Sequence, residues 1–187
     1  RRARGLGWSV VDDDRLQRLW APYRMAYVRG EEADSGAQAD DVCPFCRIAA
    51  GGQQSELVVH RGKHAFVVLN LFPYNPGHLM VVPDRHVADY TELTDAETRE
   101  VATLTQHALR VVRQVSQPEG FNVGLNLGSV SGGSLSQHLH QHVVPRWAGD
   151  ANFMTVIGQT KVLPQLLEDT RDLLAASCGA PTTSKDV

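Results

Sequence analysis

Cysteine is scarce in this chain: three among 187 residues, too few for a disulfide framework in a domain of this size. Aromatic residues make up only 6%, and no apolar run approaches the ~20 residues of a membrane-spanning helix. Basic residues do not outnumber acidic ones; Lys and Arg total 18 against 21 Asp and Glu, a net charge of −3. Without a basic stripe there is no polyelectrolyte surface for nucleic acid, so any nucleotide must be held by local chemistry. The opening Arg1-Arg2-Ala3-Arg4 leads through Trp8-Ser9-Val10 into acidic residues, without the apolar block of a secretory signal. These absences predict a cytoplasmic protein with neither a membrane nor a nucleic-acid partner. What is present, 42% hydrophobic and 21% charged residues, suits one α/β or α+β domain.

The composition changes twice along the chain. Residues 30–41 (Gly-Glu-Glu-Ala-Asp-Ser-Gly-Ala-Gln-Ala-Asp-Asp) lack apolar periodicity and are expected to be a flexible linker. Residues 179–187 are expected to be a disordered tail, which leaves 42–178 as the domain proper. Upstream, residues 1–29 form an arm in which Leu16, Leu19, Trp20 and Tyr23 recur at helical spacing behind Asp12-Asp13-Asp14, acids that favour a helix N-terminus.

Within the domain, Leu57–His60 and Ala65–Leu69 flank the turn Arg61-Gly62-Lys63, which predicts a hairpin. A third strand is expected at His78–Val82, after the turn formers Pro73, Asn75, Pro76 and Gly77. Thr94 and Glu97 have the spacing of a capping box. Val101, Leu104, Ala108, Val111, Val112 and Val115 then line one face of a helix of about six turns. Phe121–Asn126 and His138–Val144 predict two more strands joined by the loop Gly128–Ser134, and Pro164 with the leucines at 163, 166, 167, 173 and 174 predicts a closing helix. Hairpins dominate over βαβ units, so the expected architecture is α+β, an antiparallel sheet with helices on one face.

Three of the eight histidines stand at 138, 140 and 142. In a strand the side-chain period of two would send all three imidazoles to one face. Such a trio also suits a metal set or an exposed strand face. The glycine-rich loop running directly into it favours phosphate chemistry, because backbone N–H groups there can approach a phosphate closely. Cys43-Pro44-Phe45-Cys46, in a reducing compartment, indicates metal binding or redox activity; Cys178, alone near a polar tail, is expected to be incidental.

The run His138-Leu139-His140-Gln141-His142-Val143-Val144 resembles the motif of the histidine triad (HIT) family, and the resemblance extends from Cys43 to about Trp147. Asn70 through His78 and Val81-Val82-Pro83-Asp84-Arg85-His86 resemble further family segments in the right order. The resemblance implies a HIT-like fold, with a five-stranded antiparallel sheet and two main helices, here with the N-terminal helical arm added. It implies nucleotidyl transfer in which His140 attacks the α-phosphorus of a nucleotide. His142 and His78 would then donate to phosphate oxygens or position the leaving group. A neutral imidazole suits this role, since one ring nitrogen attacks while a hydrogen bond fixes the other. Gly133 and Ser134 would stabilise charge on the phosphate, Asn70 would meet the ribose hydroxyls, and Asn126 would orient the phosphate. Phe45, Phe66, Leu69 and Leu71 are base-pocket candidates, although apolar residues at strand spacing are more often core.

Some branches of the family bind a structural zinc, and the matching positions are Cys43, Cys46, His86 and His138, two thiolates and two imidazoles suited to a tetrahedral ion. A redox or purely structural C-x-x-C is the alternative. Hydrolase branches commonly carry Gly-Gln and a hydroxyl residue before the triad, where this chain has Gly133-Ser134-Leu135. Gln141 also stands where an apolar residue is usual. The segments Gly132–His140 and Val144–Phe153, together with Leu16–Met25, look like bacterial HIT proteins that act as diadenosine tetraphosphate phosphorylases. In these, orthophosphate rather than water resolves the nucleotidyl-histidine, yielding ADP beside ATP. Ser134, Arg146 and Lys161 are candidate donors to the anionic acceptor, with a solvated surface charge the simpler account of Lys161. The alternatives are a hydrolase of dinucleoside polyphosphates or nucleoside phosphoramidates releasing AMP, and a nucleotide-binding regulatory protein with little turnover. The resemblance also implies a homodimer or higher homo-oligomer.

Overall fold

The computed structural model describes residues 43–51, 55–131, 135–150 and 166–178. The expected arm at 1–29, the linker at 30–41, the tail at 179–187, and Gly133, Ser134, Lys161 and Pro164 lie outside the described residues. The elements run α1 (Pro44–Ala49), β1 (Val58–Arg61), β2 (Ala65–Leu69), β3 (Leu79–Pro83), α2 (Asp95–Ser116), β4 (Gly120–Leu125), β5 (Gln141–Arg146) and α3 (Leu167–Cys178), with short 3-10 turns between some of them. The strands form one five-stranded sheet in the order β1-β2-β3-β5-β4, with every neighbouring pair antiparallel. The expected α+β sheet is therefore present.

β2 and β3 are buried along their whole length, which explains their unbroken Ala-Phe-Val-Val-Leu and Leu-Met-Val-Val-Pro runs. The turn joining β1 to β2 favours Gly62, because a Cβ there would lie 2.9 Å from the Ala65 carbonyl that receives the Gly62 amide, and would also press on the Glu100 carboxylate. α2 begins as its sequence predicts: Thr94 accepts from the Glu97 amide while Glu97 accepts from the Thr94 amide. Arg85 grips the same carboxylate at 2.9 and 2.8 Å. Its guanidinium pulls the buried Glu97 down to about 2, against desolvation.

Cross-strand pairing sorts the two faces of the sheet. His60, Val67, Val81 and Gln141 are partners in one row and share a face, whereas Val68, Met80 and His142 occupy the opposite one. α2 covers the first face, where Gln141 donates to the Thr105 hydroxyl at 2.8 Å. Thr105 itself donates to the Val101 carbonyl. This accounts for glutamine at a position that is usually apolar. α1 lies on the other face, with its Ile48 carbonyl accepting from Arg61. The two main helices thus share one face, as expected, while the short α1 around the cysteine pair is an element the sequence did not announce.

The expected strand at His138–Val144 is corrected. β5 begins only at Gln141, so His138 and His140 precede the ladder. Their backbone is otherwise engaged: the His138 carbonyl receives the His140 side chain, and the Leu139 amide donates to the Val87 carbonyl.

Candidate active site

The histidines converge although only His142 belongs to a strand. The His140 and His142 ring centroids lie 4.9 Å apart, and those of His78 and His142 lie 5.1 Å apart. Backbone groups of fixed polarity decide which nitrogens carry hydrogen. Nδ1 of His140 donates to the His138 carbonyl at 2.8 Å. Its proton is therefore on Nδ1, and Nε2 keeps the lone pair.

A second chain starts at Tyr74, whose backbone N–H can only donate and meets Nδ1 of His78 at 3.0 Å. His78 must then carry its hydrogen on Nε2, which donates to Nδ1 of His142 at 3.0 Å. His142 in turn has its hydrogen on Nε2, facing the Asn126 carboxamide 3.4 Å away. A half-turn of that carboxamide presents its oxygen to this hydrogen. Burial, aided by the neighbouring His140, pushes His142 down to about 4, so it is neutral near pH 7. The pair is a nucleophilic nitrogen on His140 beside a neutral donor on His142.

Tyr74 also lies over both donor rings, with centroids 4.8 Å from His78 and 6.0 Å from His142. Asn75 holds this turn to the end of β5 by donating to the Pro145 carbonyl and to Asp150, at 2.9 and 2.7 Å. Asp150 also takes two hydrogen bonds from Arg146 and one from the Trp147 amide. Arg146 holds this carboxyl well below the usual range. Tyr74, Asn75 and Asp150 received no individual role from sequence; the turn composition around Asn75 was the signal that pointed toward them.

Asn70 places its side-chain nitrogen 3.4 Å from Nδ1 of His78 and accepts from the Phe72 amide. Arg146, a candidate for the acceptor phosphate, is instead engaged by Asp150 and by Asn122 at 2.7 Å. Phe66 and Leu69 belong to the core, whereas Leu71 is exposed. Phe45 is buried against both His138 and His140, with ring centroids 5.4 and 5.2 Å away.

The two cysteines flanking Phe45's turn of helix meet His138 and His86. Cys43, Cys46, His86 and His138 bring four donor atoms within 4.8 Å of one another, a set that could hold a metal ion. His138 donates from Nε2 to the Pro83 carbonyl at 2.9 Å, which leaves Nδ1 unprotonated toward the Cys43 and Cys46 sulfurs at 3.3 and 3.6 Å. A backbone partner on the outer nitrogen is the usual arrangement for a ligating histidine. With both ring nitrogens engaged, the side chain of His138 serves this cluster, while its carbonyl fixes His140.

The HIT domain family model matches residues 51–149. The chain belongs to the HIT family. It is 56% identical over 169 residues to the AP-4-A phosphorylase of Mycobacterium tuberculosis, covering 89% of this chain and 87% of that protein. It is 31% identical over 106 residues to an asymmetrical bis(5'-nucleosyl)-tetraphosphatase of Schizosaccharomyces pombe, covering 57% and 56% of the two chains. Among solved HIT structures, a Zn-bound histidine triad protein of Mycobacterium smegmatis superposes with a TM-score of 0.60 at 26% identity, over 73% of this chain and 92% of that one. Among the described residues of this HIT protein, no helix is long and apolar enough to cross a membrane.

Proposed function

We propose that this protein is an enzyme that cleaves diadenosine tetraphosphate by phosphorolysis, through a nucleotidyl-histidine on His140. The observation that carries the proposal is the orientation of His140, with Nδ1–H held by the His138 carbonyl and the Nε2 lone pair left for attack. In the first step Nε2 bonds to the α-phosphorus, the bond from phosphorus to the bridging oxygen breaks, and ATP leaves. In the second, an oxygen of orthophosphate attacks the same phosphorus, the P–N bond breaks, and ADP departs with His140 restored. His142 donates from Nε2 to a phosphate oxygen, with His78 and the Tyr74 amide holding its polarity, and Gly133 and Ser134 are assigned to the remaining oxygens. Asn126 orients the phosphate and Asn70 the ribose. Arg146, through Asp150 and Asn75, steadies the turn that carries Tyr74 and His78.

Identity of 56% over most of both chains to an AP-4-A phosphorylase supports orthophosphate as the acceptor. The hydrolase reading has a specific observation too, since a tetraphosphatase is among the relatives. Product analysis on diadenosine tetraphosphate with and without orthophosphate separates them: phosphate-dependent ADP plus ATP supports the proposal, and AMP plus ATP in water alone replaces it with hydrolysis.

Cys43, Cys46, His86 and His138 are proposed to hold a structural zinc. Burial and the adjacent Cys43 push Cys46 up from its usual range, a pairing of thiols that a divalent cation relieves. Zinc there would cross-link α1 to the segment after β3 and to the triad, stabilising the fold without taking part in the reaction. A homodimer, paired through the open edge of the sheet at β4, where Asn122, Val123 and Gly124 are exposed, completes the proposed assembly.

A further inference from the structure

The helix-covered face of the sheet carries a cluster that the reaction does not use. His60 on β1, His107 on α2 and Cys178 at the end of α3 place three donor atoms within 4.8 Å of one another. They are far apart in sequence and are brought together only where α2 and α3 pack over the β1 edge. The His60 and His107 ring centroids lie 5.2 Å apart. Nε2 of His107 is buried without a hydrogen-bond partner, an arrangement that native interiors rarely leave uncompensated.

Two imidazoles and one thiol, each partly exposed, are a donor set of borderline softness. They match three protein ligands of a tetrahedral zinc ion whose fourth position is taken by water. From the convergence of these donors and the unpartnered His107 nitrogen, we propose a second zinc site at His60, His107 and Cys178, separate from the cysteine-pair cluster and on the opposite face of the sheet.

On binding, a zinc–sulfur bond forms, the S–H bond of Cys178 breaks and its proton passes to solvent, while each imidazole contributes a neutral lone pair. Burial raises the Cys178 thiol to about 11, so the thiol keeps its proton in the absence of the ion. The site would tie the C-terminal helix to the sheet edge.

Zinc titration of the chelator-treated full chain, followed by mass-spectrometric mapping of alkylated cysteines, tests the assignment. The C43S/C46S double variant should bind about one zinc per chain, and zinc should slow alkylation of Cys178 in it about tenfold or more. Adding His107→Ala should abolish both effects, with circular dichroism confirming the fold. The unmodified chain provides a readout that needs no variant, because its Cys178 should be protected by zinc to the same extent. Alkylation of Cys178 at an unchanged rate in zinc-loaded unmodified protein would overturn the proposal, as would protection that survives His107→Ala.

Discussion

Histidines occupy both faces of this sheet, and the two sets differ in how their ring nitrogens are governed. On the triad face, the Tyr74 amide and the carbonyls of His138 and Pro83 set the polarity of four rings. On the helix face, Nε2 of His107 is buried without a partner, and its imidazole is pushed down by burial and by His60 and Arg110, against a backbone hydrogen bond to Cys178. Backbone groups cannot titrate, so a ring tied to one keeps its tautomer. Rings fixed in this way suit a reaction that needs one lone pair and one donor, whereas a ring that keeps one buried nitrogen without a partner suits capture of a cation.

The sharpest way to break the comparison is at His140. Replacement with Asn should lower turnover about 10⁴-fold while leaving thermal unfolding close to that of the parent. Substantial residual turnover would remove the nucleophile assignment. Tyr74→Pro deletes the amide that sets His78 and should lower kcat about 10- to 100-fold. Tyr74→Ala keeps the amide while removing the ring and should remain within a few-fold of the parent, so equal losses would show that the ring matters and the amide does not.

Acid titration of stability sharpens the contrast further. His142 binds protons less readily when folded, at about 4, than when unfolded, near 6.5. The unfolded chain therefore gains protons first, and stability falls as pH drops from about 6.5 to about 4, by roughly 1–2 kcal/mol after allowance for solvent screening. Glu97 acts at lower pH, its contribution intact above about 4.5 and lost as pH falls through about 2. Denaturant midpoints across this range should show both slopes, and His142→Gln should flatten the upper one. Gln141→Leu should change stability least, by about 1 kcal/mol or less, because Thr105 retains the Val101 carbonyl.

Much of the fold was legible in the sequence where local rules decide it. The capping box at Thr94 and Glu97 fixed the start of α2, and the apolar runs marked β2 and β3. The triad was legible as a motif, but its geometry was inferred from strand alternation, which fails at His138 and His140 because their backbone serves side chains and a loop. Arg146 was legible as a cation and not as the partner of Asp150, since a charge declares its sign in sequence without declaring its counterion. Cys178 appeared isolated because His60 and His107, the residues that meet it among those described, arrive through tertiary packing.

The strand order has a consequence for how the molecule is made. β3 and β4 run parallel to one another with β5 between them, so an interior position of the sheet is filled by the strand that emerges from the ribosome after its four companions. Until residues 141–146 are available, β4 has no hydrogen-bonded neighbour and the β3 edge stays open. Insertion of β5 joins the two parts of the sheet and brings His142 to His78 in the same event. This long-range closure is the kind of contact expected to limit folding rate, and it makes a catalytically competent fragment ending before β5 impossible.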